Sequence, residues 1–179
     1  MKRIILVAAF VAILASPVFS QLRLDLGVDV PMTIGVIGNG EIQTSSDVGE
    51  FLREHIFPCP EAGLYYQFEV GPMRFAPGVR IFTFILESVM WPNLMWELAL
   101  DPIYIQAQLG GLVFVLFGLL NDAQYGEVLL PDLSVWVGLG KERRFRLGGG
   151  VLGMALPDLT TEGIAIVPYV GGKVSLLFE

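Results

Sequence analysis

Leu22-Arg23-Leu24-Asp25-Leu26-Gly27-Val28-Asp29-Val30 is the stretch whose reading decides the fold. In an extended strand successive side chains point to opposite faces. Leu22, Leu24, Leu26, Val28 and Val30 therefore share one face, and Arg23, Asp25, Gly27 and Asp29 the other. A helix would scatter them around its circumference. The apolar face is unbroken over about the 9–11 residues that a tilted strand needs to cross a bilayer, and the opposite face carries charge of both signs. The pattern predicts the first strand of a membrane barrel, apolar side to lipid and charged side to the lumen.

Upstream of this strand, Lys2 and Arg3 precede an apolar run from Ile4 to Ala15, and Val18-Phe19-Ser20 offers small residues for a signal peptidase. The expectation is a signal peptide over 1–20, cleaved after Ser20, and an outer-membrane β-barrel domain over 21–179. No cysteine follows the apolar run where a lipid anchor would attach. Of the 11 basic residues two lie in the leader, leaving 9 against 18 acidic ones, a formal charge of −9. That balance argues against nucleic acid as a partner. A single cysteine, Cys59, rules out an internal disulfide. Mean hydropathy of +0.64 is high for a barrel with a water-filled interior, and the leader accounts for only part of it.

Taken in order, the chain reads as a meander. The first strand is expected to continue past Pro31 to Ile37, with Met32, Ile34 and Val36 outward. Between Gly38 and Gly63, Asp47 and Glu50 have capping-box spacing, Val48, Phe51, Leu52 and Ile56 recur at helical spacing, and Pro58-Cys59-Pro60 would stop the helix. Strand two spans Leu64 to Val70, with Tyr65, Gln67 and Glu69 inward. Gly71-Pro72 and Pro77-Gly78 read as a turn. Strand three follows from Val79 to Met90, with Phe82, Phe84 and Leu86 towards lipid and Arg80 outward near the membrane border, where its stem can snorkel. Trp91-Pro92-Asn93 turns into strand four, with Glu97 inward, and Asp101-Pro102 turns into strand five, with Tyr104, Gln106 and Gln108 inward. A connection from Gly118 to Asp132 leads to strand six, Leu133 to Gly140. Lys141 to Arg144 turns into strand seven, from Phe145 to about Leu156, and the last strand runs from Ile164 to the C-terminus. The fold class is thus all-β: an eight-stranded antiparallel up-and-down transmembrane β-barrel. Short connections follow strands two, four and six and long ones follow one, five and seven, the alternation of outer-membrane barrels, with the hairpin after strand three as the exception.

On this alternation, the strand count and the terminal strand Tyr169 to Phe178, the chain resembles the small eight-stranded outer-membrane barrels of the OmpA, OmpX and OmpW types. The resemblance covers nearly all of the mature chain. It implies outer-membrane lipid and the barrel assembly machinery as partners. In that family the machinery recognises a terminal strand ending on an aromatic residue; here Phe178 is followed by Glu179. Resemblance to the OmpW type also points to a small hydrophobic ligand. Two other readings stand beside this one. A soluble periplasmic lipid-binding barrel would carry the opposite polarity, charge outside and apolar residues inside. A helical inner-membrane protein would use the uncharged run Ile103 to Leu120, against which stand its paired glycines and alternating glutamines.

No catalytic, metal-binding or cofactor constellation is legible. His55, the only histidine, reads as a solvated loop residue, and Cys59 as an inert loop thiol. The glycine runs at 148–150 and 171–172 contain no phosphate-loop pattern and mark bends or close backbone approaches. The reading is non-enzymatic: a structural or surface protein, or a narrow conduit or binder for small hydrophobic molecules. A barrel of eight strands is about wide enough for side chains to fill, so a general porin is not expected. The lumen charge network is expected from Arg23, Asp25, Asp29, Glu69, Glu97 and Lys173, with Lys173 bridging to Asp25 or Asp29 across the closing strands. Carrying the inward parity up each strand places Leu112, Phe114, Leu116, Leu152, Met154 and Tyr169 around an apolar upper lumen. A one-residue bulge at Gly110-Gly111 or at Gly148 to Gly150 would turn later side chains to lipid instead.

Overall fold

Alternation of apolar and polar residues becomes strand wherever one face can meet hydrocarbon and the other can find polar partners, and most of this chain satisfies both. The computed structural model describes residues 20–38, 41–44, 57–84, 86–119, 122–155 and 164–178. Leader residues 1–19, the expected loop helix and His55 lie outside them. In chain order the strands are β1 (Ser20–Pro31), β2 (Gly35–Gly38), β3 (Glu41–Thr44), β4 (Cys59–Val70), β5 (Met73–Phe84), β6 (Glu87–Leu100), β7 (Ile103–Gly111), β8 (Phe114–Gly118), β9 (Gln124–Gly126), β10 (Leu129–Leu139), β11 (Phe145–Met154) and β12 (Ile164–Phe178). Eight of them form the barrel in the order β1-β4-β5-β6-β7-β10-β11-β12, and β12 returns to β1 to close it. Every neighbouring pair is antiparallel. The remaining strands form two hairpins that prolong the wall at one end: β2–β3 stands on β12, and β8–β9 stands on the start of β6. This loop end lies opposite the terminal end, where Leu22 faces Phe178 and tight turns join β4 to β5 and β6 to β7.

The polarity of the wall is that of a membrane barrel. Inside, Glu97 is 0% and Arg23 1% exposed, whereas outside Leu64, Leu109 and Leu133 are 50%, 52% and 59% exposed. Charge inside and hydrocarbon outside is the reverse of a water-soluble fold and fits lipid around the wall. The soluble lipid-binding barrel required the opposite arrangement. The run from Ile103 that a helix reading would use forms β7 and β8, and among the described residues no helix is long and apolar enough to cross a membrane.

Two expected boundaries move. Pro77-Gly78 and Trp91-Pro92-Asn93 are not turns: β5 runs through the first and β6 through the second, and the hairpin between them lies near Leu86. Pro77 and Pro92 point outward, and Pro92 stays in register opposite Val79. A proline there removes one ladder donor without redirecting the strand. This correction reverses β5, so that Arg80 and Phe82 face the interior and not lipid. The connection expected between Gly118 and Asp132 contains β9 and the beginning of β10.

Two irregularities decide what lines the interior at the loop end. Pro31 lies opposite Tyr169 while Gly35 lies opposite Ile166, so the first strand holds one residue more than its partner there. This bulge breaks the expected outward parity, and Ile34 lines an internal cavity. Along β6, Asn93 faces Gly110 and Met90 faces Val115, so the segment joining β7 to β8 holds two extra residues. Two extra residues restore the parity that one would invert. Phe114 and Leu116 therefore stay on the inner side.

Candidate functional site

The inner faces of non-adjacent strands meet across the barrel, and the charges they carry form two layers. Nearer the terminal end, Glu97 on β6 accepts hydrogen bonds from Arg146 Nη1 (2.6 Å), Arg74 Nη1 (2.7 Å) and Arg23 Nη1 (3.1 Å), and from the Gln106 amide. Arg23 also grips Asp25 with two parallel bonds of 2.8 and 2.9 Å. Glu69 pairs with Arg74 at 3.0 Å at the rim. Lys173 donates to Gln106 Oε1 at 2.6 Å and stands 4.1 Å from the Trp136 ring centroid, while Asp25 is 4.0 Å away. Lys173 thus pairs with Asp25 as expected, at the long limit of an ion pair, while the Gln106 amide is its closer partner. The place of Lys173 in the closing ladder is opposite Gly27, and the guanidinium of Arg23 already holds Asp25.

The second layer lies towards the loop end and centres on Arg80. Its Nε and Nη2 donate to Glu61 (2.9 and 2.7 Å) and its Nη1 to Asp132 (2.6 Å), which also accepts from the Tyr169 hydroxyl (2.8 Å). Asp29 completes the layer, buried and 3.7 Å from Arg80 Nη2. Arg80, Glu61 and Asp132 were not expected in the lumen. The first was displaced by reading Pro77-Gly78 as a turn, and the others fell in presumed loops. The signal was present: Arg74, Ala76, Gly78, Arg80 and Phe82 alternate with Met73, Phe75, Pro77, Val79 and Ile81 through the proline.

Beyond this layer lies an apolar chamber of about 470 Å³. Asp29 and Tyr169 border it on the side of the charges, and Trp91 and Phe82, stacked with ring centroids 5.5 Å apart, form part of its wall. Gly110 lets Trp91 lie flat against the wall, because a side chain there would collide with the indole. Phe114, Leu116, Leu152, Met154 and Tyr169 all line the chamber. Leu112 does not: it follows Gly111 in a tight turn with a positive φ of 65° and is 75% exposed. Cys59, read as a loop thiol, begins β4 directly opposite Asp29 and is buried in the chamber wall.

A smaller cavity of about 240 Å³ at the terminal end is lined by Arg23, Arg74 and Arg146. Between the two cavities, ion pairs and the buried Trp136, Met95 and Tyr65 fill the lumen. Among the described residues no group of three or more His, Cys, Asp or Glu side chains is placed to hold a metal ion.

No protein-family model matches this sequence, and no curated protein matches it. Among solved structures it is similar to neisserial surface protein A (NspA), with 10% identity and a TM-score of 0.42 over 87% of this chain and 96% of that one. It is also similar to Ail, the attachment invasion locus protein of Yersinia pestis, with 8% identity and a TM-score of 0.42 over 88% and 99% of the two chains.

Proposed function

We propose that this protein is a non-enzymatic outer-membrane barrel that holds a small hydrophobic molecule in the chamber at its loop end. The observation that carries the reading is a change of character along one lumen: two layers of ion pairs, then about 470 Å³ lined by apolar side chains. Ligand pockets of this kind are predominantly apolar with a few placed polar groups. The filled lumen below argues against a general porin. The terminal end, with its tight turns, would face the periplasm, and the end with the longer connections the outside. Outer-membrane lipid would cover the apolar band, and the barrel assembly machinery would insert the chain.

Cys59 provides the test, since it is the only cysteine and lies in the chamber wall. With the barrel in phosphatidylcholine nanodiscs, 1-methylnaphthalene is expected to slow alkylation of Cys59 by N-phenylmaleimide several-fold, and glucose to have no effect. Equal alkylation rates with and without the hydrocarbon would leave the chamber as packing space in a structural barrel.

A further inference from the structure

Asp29 is the anomaly of the lumen. It is 3% exposed, yet among the described residues neither carboxylate oxygen accepts a hydrogen bond. Its geometry explains why. Among the described residues Arg80 is the nearest cation, at 3.7 Å, but its hydrogen bonds there go to Glu61 and Asp132. On the closing strand Asp29 stands opposite Gly171, which has no side chain to offer, and a side chain there would collide with Asp29 Oδ1. Lys173 is engaged lower down with Gln106. One guanidinium therefore serves three carboxylates in this layer, and the residue left over, Asp29, is the one that borders the chamber, its oxygens closed off from the open space but held there by no hydrogen bond among the described residues, so that a ligand must draw them out. A buried charge without hydrogen bonds is costly, and an apolar surrounding strengthens its attraction for a cation.

We propose that Asp29 makes the chamber selective for amphipathic cations: an apolar body that fills the aromatic and aliphatic wall, with a protonated amine directed at the carboxylate. The proposal rests on the reading of the chamber as a ligand site and adds to it the chemical class of the ligand. The amine would supply the hydrogen bond that Asp29 lacks and a second positive charge in a layer where one guanidinium is shared by three carboxylates. An anionic head would meet Asp29, the one carboxylate of this layer that lines the chamber, and be rejected.

Three probes of one shape separate the two readings: N,N-dimethyl-1-naphthylmethylamine, protonated at neutral pH, neutral 1-methylnaphthalene, and anionic 1-naphthaleneacetate. Protection of Cys59, which faces Asp29 in the β1–β4 ladder, is the readout, with free concentrations corrected by partition into empty nanodiscs. The amine is expected to half-protect at about a tenfold lower concentration than the hydrocarbon, as a charge-assisted hydrogen bond implies, and the carboxylate to protect worst. In Asp29→Asn the amine is expected to fall to the level of the hydrocarbon, both being measured in that variant. If the hydrocarbon protects and the amine is no better in the unmodified protein, the selectivity is overturned and the chamber survives. If the amine keeps its advantage in Asp29→Asn, a group other than Asp29 confers it. If no probe protects, both readings fall. The comparison in the unmodified protein holds even if the variant fails to fold.

Discussion

At the scale of single residues, Glu97 has the most concentrated role. Three guanidiniums from β1, β5 and β11 converge on one carboxylate on β6, so a single side chain ties together strands that are not all neighbours in the wall. Replacing it by glutamine keeps the shape and removes the charge that the arginines share. Removal of one member of a buried ion pair typically costs about 3–5 kcal/mol. Glu97→Gln is therefore expected to lower the unfolding free energy obtained by urea titration from lipid vesicles by that order, and a value equal to the parent would show that the arginines find other partners. Most of this first layer was legible in the sequence, because Arg23, Asp25, Glu97 and Lys173 sit at every second position of unbroken strands. The second layer was not, since Arg80 follows a Pro-Gly pair whose local chemistry favours a turn. What overrides that preference is outside the local sequence: pairing with β6 across Pro77, and with β4 before and after it, holds β5 straight.

At the scale of the element, β10 shows the division of labour of each stave. Asp132, Ser134 and Trp136 are buried, while Leu133, Val135, Val137 and Leu139 face out. If that outer row meets hydrocarbon, the cost of a charge should depend on depth along one strand. An arginine near the bilayer midplane of such a barrel costs about 2–4 kcal/mol and one near the interface about 0–1 kcal/mol. Leu133→Arg is expected to fall in the first range and Leu139→Arg, beside the turn at the terminal end, in the second, as measured by folding titrations in vesicles. Equal small effects at both positions would remove lipid from the outer surface. The eight staves were readable from period-two patterning, but the short hairpins β2–β3 and β8–β9 were not. Strands of three to five residues carry too few alternations to distinguish from a loop, and their place is set by the wall they extend. The hairpin near Leu86 was missed for the converse reason: it has no glycine or proline, whereas two proline pairs that do not turn stand on either side of it.

At the scale of the whole molecule, the sequence indicated a closed barrel with charge at one end and an apolar chamber at the other. The chamber depended on whether the insertions beyond Gly110 numbered one or two, which alternation cannot count; only pairing with β6 decides it. The closing ladder, in which Leu22 faces Phe178 and Val30 faces Val170, is as regular as any other in the ring. Topologically, then, the place where the polypeptide is cut is arbitrary. A circular permutant with Phe178 joined to Leu22 by a few glycines, beginning at Phe145 and ending at Leu139, would have the same eight neighbours in the same order. It would lose the turn at 140–144 and with it the surface ion pair of Arg143 with Asp101, a contribution of about 0–1 kcal/mol for exposed pairs. Such a permutant is expected to migrate on unboiled gels with the heat-modifiable mobility of the parent; a failure to do so would mean that the seam must be the last ladder to form, making it a fixed point of assembly although it is none in the finished ring.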